Sequence, residues 1–150
     1  MKNLYEPATA KEIKDRLARL GPANQRQWGK MTAAQAVAHC SVAMEWAVGD
    51  IRPRRMFVGR IFGPLAKAKM LKDETPMSHN APTAKSLVVV DERDLATERQ
   101  GLCTLIDRFA AAGPNGCTTH PHSFFGPLTP QEWATLMYKH LDHHLRQFGV

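Results

Sequence analysis

Seven histidines stand at positions 39, 79, 120, 122, 140, 143 and 144. His140 and His144 are four residues apart, which on a helix places their Cβ atoms about 6 Å from each other on one face. Imidazoles at that spacing can share an ion about 2.0–2.1 Å from each nitrogen. Trp133, Met137, Leu141 and Phe148 fall on the same face, so the pair lies within an apolar stripe, where burial calls for a partner. His39 sits inside AVAHCSVA, a run of small and apolar residues. Alone it reads as a core histidine held by a hydrogen bond, and a histidine-rich chain produces an i, i+4 pair by chance. One histidine on a core helix facing two on another is an arrangement that holds metals between helices. A site of His39, His140 and His144 is therefore the first chemical expectation. Three imidazoles leave a coordination position open for water or substrate. Zinc or nickel comes first as the ion, and iron or manganese would also accept imidazole.

Four helices must position these groups. The last, around 130–147, opens on Thr129-Pro130 with Glu132 completing a capping box, and Gly149 stops it. The second, around 32–48, starts at Thr32 and ends at Gly49, with Gln35, Val42, Ala43 and Trp46 sharing the face of His39. The first, around 9–20, is framed by Thr9 and Glu12 and carries Ile13, Leu17 and Leu20 until Gly21-Pro22. The third, around 91–110, carries Leu95, Leu102, Leu105, Ile106 and Phe109 and ends at Gly113-Pro114. The expected fold is all-α: a four-helix bundle, one domain over 1–150, with a long crossover between the second and third helices. Residues 73–90 read as extended chain ending in LVVV, with His79 a surface loop residue.

Other residues could shape a pocket. Trp28 reads as a plug over one end of the core, and the loop 113–128 as a lid over the open end of the bundle. Pocket or lid candidates are thus Trp28, Gln35, His120, His122 and Trp133. His120 or His122 could supply a fourth ligand or an acid/base, against the plainer reading of both as ordinary loop residues.

Length and composition bound the answer. One hundred and fifty residues with 43% hydrophobic and 23% charged side chains suit one globular domain with a full core. Cys40, Cys103 and Cys117 are odd in number and far apart, which argues against a disulfide framework and fits a reducing cytoplasm. The start MKNLYEPATAKEIKD has no apolar core of a secretory signal, and no stretch approaches the 18 apolar residues of a membrane span. The expected location is cytoplasmic, with no membrane partner.

The formal charge of +6 comes from residues 52–72, which hold seven basic side chains and no acidic one. Met56, Phe57, Ile61, Phe62, Leu65 and Met70 are interleaved among them. Gly63-Pro64 should divide the segment into two short helical pieces. It could attract an anionic cosubstrate, a nucleic acid or an acidic membrane surface, or its apolar residues could serve the interface of a homodimer, the expected assembly. It is read first as a crossover with its apolar side on the bundle and its basic side in water. No helix-turn-helix or aromatic RNA-binding signature accompanies it, so no nucleic-acid partner is expected.

The stretch WGKMTAAQAVAH (Trp28 to His39), the turn FFGPLT and the ending YKHLDHHLRQFG resemble the DinB/YfiT-like superfamily, in its uncharacterised branch ending in HLDHHLRQFG. The resemblance spans nearly the whole chain. It implies a four-helix bundle, often dimeric, with a metal on one histidine of the second helix and an HxxxH pair of the last. His39, His140 and His144 occupy those positions. HPHSFFG departs from the shorter HPFFG-type turn of that branch, so no role carries over to His120 or His122. By resemblance the function is that of a metal-dependent enzyme, a thiol-dependent S-transferase or hydrolase. Its cosubstrate would be a low-molecular-weight thiol or another small anion, with arginines of the basic segment on its carboxylates. The alternative is a non-catalytic, metal-stabilised bundle acting as a binding or stress-response protein through residues 52–72.

Overall fold

The computed structural model describes residues 1–81 and 83–150. Among them the chain is all-helical, with five α-helices, two short 3-10 turns and no strand; His122 and Gly126 form only an isolated bridge. The α-helices are α1 (Pro7–Arg19), α2 (Ala33–Val48), α3 (Phe57–Met70), α4 (Leu95–Ala112) and α5 (Pro130–Gln147). No helix is long and apolar enough to cross a membrane.

Local chemistry explains the two helices that carry the histidines. Thr32 accepts from the backbone N–H of Gln35, whose side chain reaches back to Thr32 N–H, and Thr129 and Glu132 repeat the device at α5. Gly49 ends α2 in the left-handed conformation that favours glycine. α2 packs against α4 and α5, and α1 against α4 and α5. Ile13, Leu17, Ala36, Met44, Ile106, Phe109, Trp133 and Leu141 meet in one continuous core. Alanines at 36, 43 and 47 of α2 are all buried and keep its neighbours close.

Several boundaries differ from the expectation. α1 begins at Pro7 after Glu6, because Glu6 itself accepts from Asn3 and Thr9 and the proline fixes the first turn; Thr9 is inside the helix. α4 begins after Asp94, whose carboxylate accepts from Thr97 N–H, rather than near Asp91. Extended chain was expected over 73–90; Pro82 lies outside the described residues, and Lys85–Leu87 form a 3-10 turn that buries Leu87.

The basic segment departs most. It is one unbroken helix, α3, with Pro64 inside it. Its only buried residues are Gly59 and Gly63, which lie flush on the backbone of Phe124 and Phe125; a Cβ at Gly59 would stand 2.5 Å from the Phe124 carbonyl oxygen. Phe57, Val58, Ile61, Phe62 and Leu65 all point to solvent. The apolar side thus faces outward, the reverse of the expected crossover, because backbone contact on the glycine face fixes the helix rotation. At its far end, Lys139 of α5 donates to the carbonyls of Met70 and Asp73.

Candidate metal centre

His39 enters from the middle of α2, and His140 and His144 from successive turns of α5. One imidazole nitrogen of each lies within 4.8 Å of the others. His39 Nε2 is 2.8 Å from His140 Nε2, and the rings meet edge to face with centroids 4.7 to 4.9 Å apart. His39 is buried, and the imidazoles of His140 and His144 are largely so, which makes the cluster enclosed.

The hydrogen bonds around the cluster fix its protons. His39 Nδ1 lies 2.8 Å from the Leu87 carbonyl, which can only accept, so Nδ1 carries the hydrogen and Nε2 a lone pair. His144 Nδ1 lies 2.8 Å from Gln147 Oε1. The Gln147 amide is oriented by its own nitrogen, which donates to the Trp28 carbonyl at 2.7 Å, so its oxygen faces His144 and receives the Nδ1 hydrogen. Two of three imidazoles therefore turn bare Nε2 atoms toward a common centre. That donor set fits a divalent transition metal, with second-sphere acceptors placed as metal-bound histidines require. Neither acceptor is charged.

Electrostatics agree. Burial holds His39 below its ordinary value against the pull of the Leu87 carbonyl. His140 lies well below, first through burial and then through its histidine neighbours. Burial, followed by His39, brings His144 down to about 3. All three are neutral near pH 7, the form that coordinates. Behind His144 lies a small apolar cavity of about 10 Å³ lined by Cys40, Leu17, Leu102, Leu141 and Phe148.

The remaining histidines separate into two groups. Beside the cluster, His79 stacks on Trp28 with ring centroids 3.7 Å apart, and His143 lies 5.5 Å from the same indole. Trp28 is half-buried and packs against these two rings rather than standing alone over the core. Two turns away, roughly 10 Å along the helices, His122 packs between Trp46 and Trp133. Its Nδ1 accepts from the N–H groups of Phe124 and Phe125, and burial lowers it to about 4. His120 binds the Pro53 carbonyl, Gln35 caps α2 and donates to Asp91, and Trp133 is core. The loop 113–128 packs on this end of the bundle through His122, which is also one of the neighbours that hold His140 down. Arg55, an expected carboxylate binder, instead donates to the carbonyls of His122, Ser123 and Phe124.

His79 is the exposed loop residue that was expected, but sequence reasoning missed Gln147 and the stacking of His79 on Trp28. Gln147 carried a usable signal, three residues after His144 on the same helix. The stacking of His79 on Trp28 carried none, since the two are 51 residues apart in sequence and only the fold brings them together. Asp142 lies on another face, paired with Arg16 and Arg146.

A family model described as "Protein of unknown function (DUF1569)" matches residues 6–149. No curated protein and no solved structure matches the chain.

Proposed function

The chain belongs to the DUF1569 family, whose description carries no activity, and from the site itself we propose a metal-dependent enzyme of the thiol-transferase or hydrolase class. The observation that carries this reading is the convergence of His39, His140 and His144 with two of their tautomers fixed by Leu87 and Gln147. We read the helices around them as a DinB/YfiT-like four-helix bundle, with α3 added in its crossover. Zinc or nickel is the proposed ion, and the compartment proposed is the cytoplasm.

When bound, such an ion would lower the pKa of a coordinated water toward about 7 or keep a coordinated thiol ionised. The protein's own part is to keep the charge of that ion undiluted. Its three imidazoles are neutral, and their outer partners are a carbonyl and an amide rather than carboxylates, so none of these groups offsets the ion's charge. Trp28, His79 and His143 frame the entrance by which a small anionic thiol or ester would arrive. The burial of His140 and His144 lowers the local dielectric, which strengthens electrostatic contacts at the site.

Elemental mass spectrometry on untagged protein tests the site. About one transition-metal ion per chain is expected, and its loss in His39→Ala, His140→Ala and His144→Ala. Metal-free protein that refuses added zinc and nickel would sink the reading. Loaded protein should turn over thiol-transfer or ester substrates, and His144→Ala should abolish turnover while circular dichroism still shows a helical fold. A loaded but inert protein would favour the non-catalytic alternative instead.

A further inference from the structure

α3 presents an unusual surface. Phe57 and Leu65 are each 75% exposed, and Val58, Ile61 and Phe62 more than half. The spacing 58, 61, 62, 65 is one helical stripe, directed away from the body because Gly59 and Gly63 occupy the opposite face. Together these side chains offer an apolar area on the order of 500 Å², near the upper end for an ordinary monomer.

The charges around the stripe are one-signed. Arg52, Arg54, Arg60, Lys69 and Lys72 are exposed, and none has an acidic partner among the described residues. Residues 52–72 contain no acid that a second copy could offer in return. Self-pairing through α3 would therefore set like charges against each other, over an area below the roughly 800 Å² per partner of a standard interface. The face is also convex, a projecting helix rather than a groove. An apolar stripe rimmed by cations on such a helix matches a surface that is soft, apolar beneath and negative on top.

We propose that α3 is a lipid-surface anchor: it lies in the headgroup region of an anionic bilayer, with Phe57, Ile61, Phe62 and Leu65 reaching toward the acyl chains and Arg54, Arg60 and Lys69 on the headgroups. The expectation of no membrane partner rested on the lack of a span and on a crossover with its apolar side packed on the bundle. α3 turns that side outward, and a surface-lying helix needs no span. This anchoring is independent of the metal reading, since none of these residues belongs to the histidine cluster.

Co-sedimentation of the full chain with vesicles tests it. Binding is expected to vesicles of phosphatidylcholine mixed with phosphatidylserine, about tenfold weaker to phosphatidylcholine alone, and falling as salt is raised. Phe57→Glu combined with Leu65→Glu should weaken it at least about tenfold at an unchanged melting temperature, because both side chains are solvent-exposed. Arg54→Gln, Arg60→Gln and Lys69→Gln together should act similarly and leave the packing untouched. Absence of binding to anionic vesicles at low salt overturns the proposal. So does binding equal on both vesicle types. Light scattering that finds a dimer, converted to monomer by the glutamate pair, would assign the face to a second copy and overturn it too.

Discussion

At the scale of single residues, the decisive group is Gln147. It accepts from His144 at one end and donates to the Trp28 carbonyl at the other, so its amide cannot turn round without losing both bonds. Gln147→Leu leaves His144 Nδ1 unpaired, and metal affinity should fall about 10- to 100-fold, read by competition with a chromogenic chelator. Gly29→Ala reaches the same end from the other side. A Cβ there would stand 2.5 Å from Gln147 Nε2, at a backbone φ of +75° that alanine adopts only with strain. An affinity unchanged in both variants would remove Gln147 from the site. All three clustered histidines were marked in the sequence, His140 and His144 because helical spacing converts directly into geometry and His39 by its place on a core helix. Their outer partners were less legible: the acceptor at Leu87 is a main-chain carbonyl, and no side chain announces it.

At the scale of elements, legibility followed capping chemistry. α2 and α5 were readable at both ends because Thr32, Gln35, Thr129 and Glu132 make local bonds that any neighbourhood would permit. α1 was misjudged by two residues since Thr9 donates to Glu6 instead of capping. α3 was misread altogether: its rotation is set by the Phe124–Phe125 backbone, and a glycine's fit to a distant carbonyl leaves no pattern in a hydropathy plot. Gly63→Ala would force a methyl group into the Phe124 carbonyl. It should cost about 1–3 kcal/mol in chemical denaturation and expose the 122–126 turn to protease. A wild-type denaturation midpoint would show that α3 sits on the loop more loosely than the contact implies.

At the scale of the whole molecule, the buried imidazoles make the metal-free protein acid-sensitive. His144 and His122 have folded values near 3 and 4, below the ordinary histidine value of 6.5. Between those limits the unfolded chain binds more protons than the folded one. Stability is therefore fully present above about 6.5 and is lost as pH falls toward 4, by up to about 1.4 kcal/mol per pH unit for each group. Thermal melts of metal-free protein should show this decline below pH 6.5, and His122→Phe should make it shallower. Added zinc should raise the melting temperature at pH 7 in the wild type and leave His39→Ala unmoved. A melting temperature flat from pH 7 to 4 would mean that these rings are already hydrated in the folded state.

The two faces of α3 answer to different constraints. Positions 59 and 63 are held to glycine by a carbonyl some 60 residues away, so the fold itself rejects change there. Positions 57, 61, 62 and 65 are all more than half exposed, so the fold has little stake in their being apolar. Drift under selection for folding alone would erode the second set and spare the first. Among chains that share this fold, apolar residues kept at those four positions would be the imprint of something outside the molecule.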